Sequence, residues 1–197
     1  MKIVDNALGI NSFNFLRGNI TSPDLGWHFV KNTAIELKEN SESDFSFTRT
    51  VYDCDFFDRV PTDALFVVCY NALLSCIDKA ELELDELFRI RLNLYTKQGQ
   101  FYTHAPHVDD HQRQTQVGIL YLTTNQTSPT VLYKNKFSFG VDTNTFHDLE
   151  EKTFVPEYRV DSVANRFLLF NGDTYHSSTL PTEEAVRINI NYNFLLK

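Results

Sequence analysis

From residue 88 to the C-terminus, apolar side chains return at every second position in a series of short runs, and this pattern most limits the folds open to the chain. The runs are RIRLNLYT (89–96), TQVGILYLTT (115–124), PTVLYK (129–134), RFLLF (166–170) and RININYNFLL (187–196), bounded by turn residues. A period of two sends alternate side chains to opposite faces of a strand, so the back of the chain is expected to be β. Ahead of it, DLGWHFVKNTAIELK (24–38) and TDALFVVCYNALLSCIDKAELELDEL (62–87) space their apolar residues as on a helix face, with Thr62 or Asp63 after Pro61 as the N-cap. Helices followed by many short strands predict an α+β, mainly β single domain. Residues 1–87 would be mostly helical support packed on the sheet, and residues 88–197 the core, an antiparallel sandwich or jelly roll.

The last run is the most legible. Ile188, Ile190, Tyr192 and Phe194 share one face, and Arg187, Asn189, Asn191 and Asn193 the other. An edge strand with one solvated face is the simplest reading; a barrel interior lined with polar groups for a polar ligand is the alternative. Residues 134–158 lack regular periodicity and form a long excursion, either a lid or a plain surface insertion.

A net charge of −8 argues against a surface built to hold nucleic-acid backbone. Arg89, Arg91, Lys97 and Arg113 could form a local basic patch, although scattered solvated charges are the simpler explanation. Cys54, Cys69 and Cys76 are odd in number and lack CxxC spacing, so reduced thiols are expected rather than disulfides or a cysteine-based zinc site. No apolar run is long enough for a membrane helix, and the first residues lack a signal peptide's order, so a cytoplasmic protein is expected. Nothing in the sequence sets an oligomeric state.

The chemistry concentrates in HAPHVDDH, residues 104–111, which holds three of the six histidines. His107 and Asp109 are two residues apart, so on an extended segment both side chains leave the same face with Cα atoms about 6.6 Å apart, within reach of one ion. His104 and Asp110 have the wrong parity and are assigned to the rim; His111 has the right parity and is a rival ligand. The spacing alone is weak. What adds weight is the order that follows: a strand run, then His176 just past the Asn171-Gly172-Asp173 turn where a strand would restart, then Arg187 on the polar face of the last run. Singly, His176 is a strand-end histidine bonded to a carbonyl, and Arg187 a surface partner of Glu183 or Glu184. Two imidazoles and one carboxylate on one side of a metal leave open positions, the arrangement of mononuclear Fe(II) oxygenases, whereas structural zinc takes four protein ligands.

The run RIRLNLYTKQG…HVDDHQRQTQVGILYLTTN…VDSVANRFLLFNGDTYHSS…RININYNF resembles the 2-oxoglutarate- and Fe(II)-dependent dioxygenases of the prolyl-hydroxylase-like branch, particularly short members from bacteriophage and marine viruses. The resemblance covers about residues 88–196 and implies a double-stranded β-helix. It places the iron ligands, which form the catalytic centre, on His107, Asp109 and His176, and the partner of the distal 2-oxoglutarate carboxylate on Arg187. Tyr121 would help hold that carboxylate, Tyr95 matches a tyrosine on the strand before the metal motif, and Asn189 and Asn191 line the Arg187 face. The implied cofactors are Fe(II), 2-oxoglutarate as cosubstrate and O2, with ascorbate in support and succinate and CO2 as products. Ser128-Pro129-Thr130 departs from the family's glycine-containing pattern and keeps only the threonine, near where substrates enter.

The resemblance implies hydroxylation of a protein or peptide side chain, with proline favoured, in a host cytoplasm if the protein is viral. A phage nucleobase-modifying dioxygenase, stacking a base near Phe101 or Tyr102, and a non-catalytic jelly-roll binding protein are the alternatives.

Overall fold

The computed structural model describes residues 1–31, 33, 45–56, 60–99, 101–139 and 153–197. In chain order the elements are β1 (Lys2–Val4), α1 (Ile10–Ile20), β2 (His28–Val30), β3 (Ser46–Asp53), α2 (Phe66–Lys79), β4 (Leu84–Thr96), β5 (Gln116–Tyr121), β6 (Asn125–Lys136), β7 (Pro156–Ser162), β8 (Phe167–Asn171), β9 (Thr174–Ser178) and β10 (Val186–Leu196). The larger sheet runs β1-β8-β5-β10-β4-β3-β2 and the smaller β7-β6-β9. Every named strand pair is antiparallel. Two facing antiparallel sheets with the helices against one of them make the expected jelly roll.

The helices cover the outer face of the larger sheet. Phe13, Leu16 and Ile20 of α1 and Cys69, Leu73, Cys76 and Ile77 of α2 are spaced three or four apart, one stripe per helix. They pack with Ile188, Ile190, Tyr192 and Phe194 of β10 in the main core. Burying each of these large side chains contributes about 1.5–3 kcal/mol. The N-cap of α2 is Leu65 rather than the expected Thr62 or Asp63; Asp63 shapes the turn ahead of it, its Oδ1 accepting the Leu65 amide at 2.8 Å and its carbonyl the Phe66 amide at 3.0 Å. The three cysteines are free thiols, with Cys69 and Cys76 buried.

The front of the chain departs from the helical expectation in three places. Residues 28–30 of the 24–38 segment are strand β2, an edge strand whose Phe29 packs its ring against Phe45 and Phe47 at 5.6 and 5.8 Å. Aromatic side chains suit a pleated surface better than a helix. Residues 34–38 of that segment lie outside the described residues. The 62–87 helix ends at Lys79, because Glu81 turns to φ 57° and the Leu82 amide returns to the Ile77 carbonyl at 3.1 Å. From Leu84 the chain is already β4, and β1, β2 and β3 add further strands to the same sheet. Residues 140–152 of the proposed lid also lie outside the described residues; its flanks are the ends of β6 and β7.

β10 corrects the simplest reading of its sequence. It is not an edge strand with a wet face but lies between β4 and β5, and Arg187, Asn189, Asn191 and Asn193 are all buried. That polar face looks into the space between the sheets. Part of that space is filled by Val117, Ile119, Leu132, Val160, Leu168 and Phe170, and another part is the polar cavity described next. No helix among the described residues is long and apolar enough to cross a membrane.

Candidate metal and dicarboxylate site

The metal end of the cavity is assembled by a strand pairing that local spacing could not show. His107 and His176 form an antiparallel bridge, each amide donating to the other's carbonyl at 3.0 and 2.9 Å, so the segment before the HxD pair joins the smaller sheet beside β9. Directly paired residues on one face bring their side chains close, and the two rings sit 4.5 Å apart. Asp109 follows on the same face. Ligand-type atoms of His107, Asp109 and His176 all fall within 4.8 Å of one another.

Each imidazole is oriented through its inner nitrogen. His107 Nδ1 lies 3.1 Å from the Ala105 carbonyl and His176 Nδ1 lies 3.2 Å from the Thr174 carbonyl. A carbonyl only accepts, so Nδ1 of each ring carries the proton and Nε2 keeps its lone pair for a metal. Burial, reinforced by His176 beside it, pushes the His107 pKa down to about 4, which holds the ring neutral. Burial works against ionising Asp109, yet Arg89 and the neighbouring groups outweigh it and hold the carboxyl well below its usual range. The contacts are specific: Arg89 Nη2 meets Asp109 Oδ1 at 3.1 Å, and the Asn191 and Asn193 amides donate to Oδ2 at 3.0 and 3.1 Å.

At the other end stands Arg187, only 1% exposed. Its Nη2 donates to Thr130 Oγ1 at 2.8 Å, and the same oxygen lies 2.7 Å from the Tyr121 hydroxyl. The Tyr95 and Tyr121 rings lie 5.3 and 5.7 Å from the guanidinium carbon. No carboxylate among the described residues pairs with Arg187, and its buried Nε has no partner. A guanidinium sealed from water without a counter-charge is costly, and its planar donor fork suits a carboxylate. Asn189 lies between the two ends, accepting a bond from Asn93 at 3.2 Å.

The predicted site residues therefore converge: His107, Asp109, His176, Arg187, Tyr95 and Asn189 line one cavity, and Tyr121 reaches it through Thr130. Glu183 and Glu184 leave Arg187 unpaired. The local rivals go elsewhere. His111 is exposed and packs edge-on against Phe137 at 5.2 Å. Asp110 caps the Gln112 and Arg113 amides and binds the Arg113 guanidinium. His104 is buried rather than at a rim, with Tyr95 and Tyr102 packed around it.

The strand over residues 89–96 was expected, but the inward polar face of β4 was not assigned to the site. Arg89, Arg91, Asn93 and Tyr95 alternate along it and pair across to Asn193, Asn191, Asn189 and Arg187. Arg89 and Arg91 are cavity residues, not scattered solvated charges. The signal was there in RIRLNLY as a polar face of period two, matching that of RININYN.

The residues fit the groups the fold implies. Two Nε2 atoms and a carboxylate on one side suit Fe(II) with positions left open, and Arg187, paired with no described carboxylate, suits the far carboxylate of 2-oxoglutarate. No family model matches the sequence, and no curated protein does. Solved structures do share the fold. The 2-oxoglutarate-dependent carbocyclase SnoK of nogalamycin biosynthesis superposes with TM-score 0.63 at 10% identity, over 99% of this chain and 78% of that one. A 2-oxoglutarate-Fe(II) oxygenase from Burkholderia pseudomallei gives 0.61 at 10% identity, over 98% and 83%. A prolyl hydroxylase from Trichoplax adhaerens, in complex with a hypoxia inducible factor peptide, gives 0.56 at 15% identity, over 98% and 82%. The fold is that of the 2-oxoglutarate- and Fe(II)-dependent oxygenases, a double-stranded β-helix.

Proposed function

We propose that the chain is a non-haem Fe(II)- and 2-oxoglutarate-dependent dioxygenase that hydroxylates a side chain of a protein or peptide, with proline the favoured residue. The observation that carries this reading is the pairing, within one cavity, of a His-Asp-His cluster with a buried arginine to which no described residue supplies a counter-charge. His107, Asp109 and His176 would hold the metal. Arg187 would bind the distal carboxylate of the cosubstrate, with Thr130 and the Tyr121 hydroxyl fixing the guanidinium. Iron and 2-oxoglutarate bound there supply oxidation of an unactivated C–H bond by O2, coupled to conversion of 2-oxoglutarate to succinate and CO2.

The chain's own contribution is preorganisation. Arg89, Asn191 and Asn193 keep Asp109 ionised and fixed, so it need not be reoriented when metal arrives. The carbonyls of Ala105 and Thr174 fix the histidine tautomers. Asn93 and Asn189 line the passage between the two ends. A peptide substrate is supported by the prolyl-hydroxylase-like order of HVD, the downstream histidine and RINI, and by a shared fold with a prolyl hydroxylase that binds a peptide.

The test is incubation with Fe(II), 2-oxoglutarate and ascorbate in air, with proline-containing peptides followed by mass spectrometry. The reading expects a gain of one oxygen on proline together with succinate. Succinate formed with no peptide oxidised would keep the reaction class and remove proline.

A further inference from the structure

The cavity holds two positive charges beyond those the iron and 2-oxoglutarate chemistry balances, Arg89 and Arg91. Resting on that reading, we infer that Arg91 binds a carboxylate of the molecule to be oxidised. Arg91 lies on the inward face of β4, paired with Asn191 and two positions from Arg89, which grips Asp109. Its side chain lines the same cavity as the His-Asp-His cluster. It is half-buried and pairs with no carboxylate among the described residues, and its Nε is shut off from solvent without a partner. Burial and the nearby Arg89 lower its pKa, but a guanidinium still keeps its proton in a protein.

The bookkeeping of charge then points to substrate. A divalent metal, the Asp109 carboxylate, a bound dicarboxylate and Arg187 cancel one another. Arg89 and Arg91 lie outside that sum; Arg89 is held against Asp109, whereas Arg91 has no carboxylate beside it among the described residues. The other acidic groups of the adjoining groove are engaged elsewhere: Asp53 accepts the Asp55 amide, and Asp55 and Asp110 are both held by Arg113. A cation in such a place recruits an anion, and the guanidinium fork favours a carboxylate over a neutral amide. Because Arg91 stands at the metal end, that carboxylate belongs close to the carbon that is oxidised. On a peptide it would be an acidic side chain at or beside the modified residue; on a free amino acid, its own carboxylate.

The test compares wild type, Arg91→Met and Arg91→Lys, each loaded without oxygen with Mn(II) and 2-oxoglutarate. Calorimetry first gives the 2-oxoglutarate affinity of each. Binding is then followed through water-proton relaxation at Mn(II), using end-blocked tetrapeptides that differ only in glutamate, glutamine or lysine beside a proline, and using free glutamate. All three proteins should bind 2-oxoglutarate alike. Wild type should bind the glutamate peptide at least about tenfold more tightly than the glutamine peptide. That preference should vanish in Arg91→Met and partly return in Arg91→Lys. Free glutamate binding better than the blocked peptide, with the same dependence on Arg91, supports the carboxylate and assigns it to a free amino acid. No preference for glutamate over glutamine in wild type overturns the inference. So does a tenfold loss of 2-oxoglutarate affinity in Arg91→Met, which would make Arg91 a cosubstrate ligand. Failure of wild type to bind 2-oxoglutarate would instead overturn the dioxygenase reading, and this inference with it.

Discussion

Asp109 shows how much of the proposed site is carried by residues outside its His-Asp-His cluster. Its carboxylate accepts from Asn191 and Asn193 and pairs with Arg89. Asn193→Ala removes one orienting bond, so metal affinity is expected to fall by about 10–100-fold, measured by Mn(II) titration, with melting of the metal-free protein as the control. Arg187→Ala should weaken 2-oxoglutarate binding by about 100-fold or more, since it takes away the cation for the far carboxylate, and Arg187→Lys should recover only part. His107 gives a pH signature. Its folded pKa is pushed down to about 4, whereas in the unfolded chain it stays near 6.5. Above about pH 6.5 both states are neutral and nothing is gained or lost. As pH falls from about 6.5 to 4 only the unfolded chain takes the proton, so the metal-free protein loses stability at up to about 1.4 kcal/mol per unit. Urea melts across that range should show this slope, and His107→Gln should flatten it. At this scale the sequence was legible for ligands and illegible for their supports: HVD and the downstream histidine have a recognisable order, whereas Arg89 and Arg91 look like surface charges until β4 is seen to lie beside β10.

Among the elements, legibility followed the contrast between a strand's two faces. β4, β5, β8 and β10 alternate apolar with polar residues or are apolar throughout, and they were readable. β3 was not, because the buried positions Ser46 and Thr48 are small and polar, so hydropathy carries no signal there. β7 was hidden because its first four residues are exposed. Sheet register explains one glycine. A Cβ on Gly118 of β5 would sit 2.7 Å from the Phe167 ring and 3.0 Å from the Phe194 ring. Both rings are locked in the core, so Gly118→Ala is expected to cost about 1–3 kcal/mol in thermal unfolding. Gly18 in α1 has nothing within 4 Å of its would-be Cβ, and Gly18→Ala should stabilise by up to about 1 kcal/mol. Equal effects of the two would contradict the packing described.

For the whole molecule, two sheets meet around a space that is part apolar core and part polar cavity, and the candidate site residues lie on four separate stretches of chain. The HxD segment, β9, β10 and β4 can present them together only when both sheets are paired, so ligand binding should report on folding. Mn(II) at about 100 times its dissociation constant should add about 2.7 kcal/mol, raising Tm by about 5–10 °C, and His107→Ala should abolish the shift. The most direct test of the dioxygenase reading is succinate formed from 2-oxoglutarate by wild type, His107→Ala and Arg187→Ala with Fe(II) and ascorbate in air, with iron and 2-oxoglutarate binding measured on the same samples. Wild type should bind both and release succinate, slowly even without substrate; His107→Ala should lose iron, and Arg187→Ala should lose 2-oxoglutarate while retaining metal. Wild-type protein that binds neither iron nor 2-oxoglutarate would contradict it.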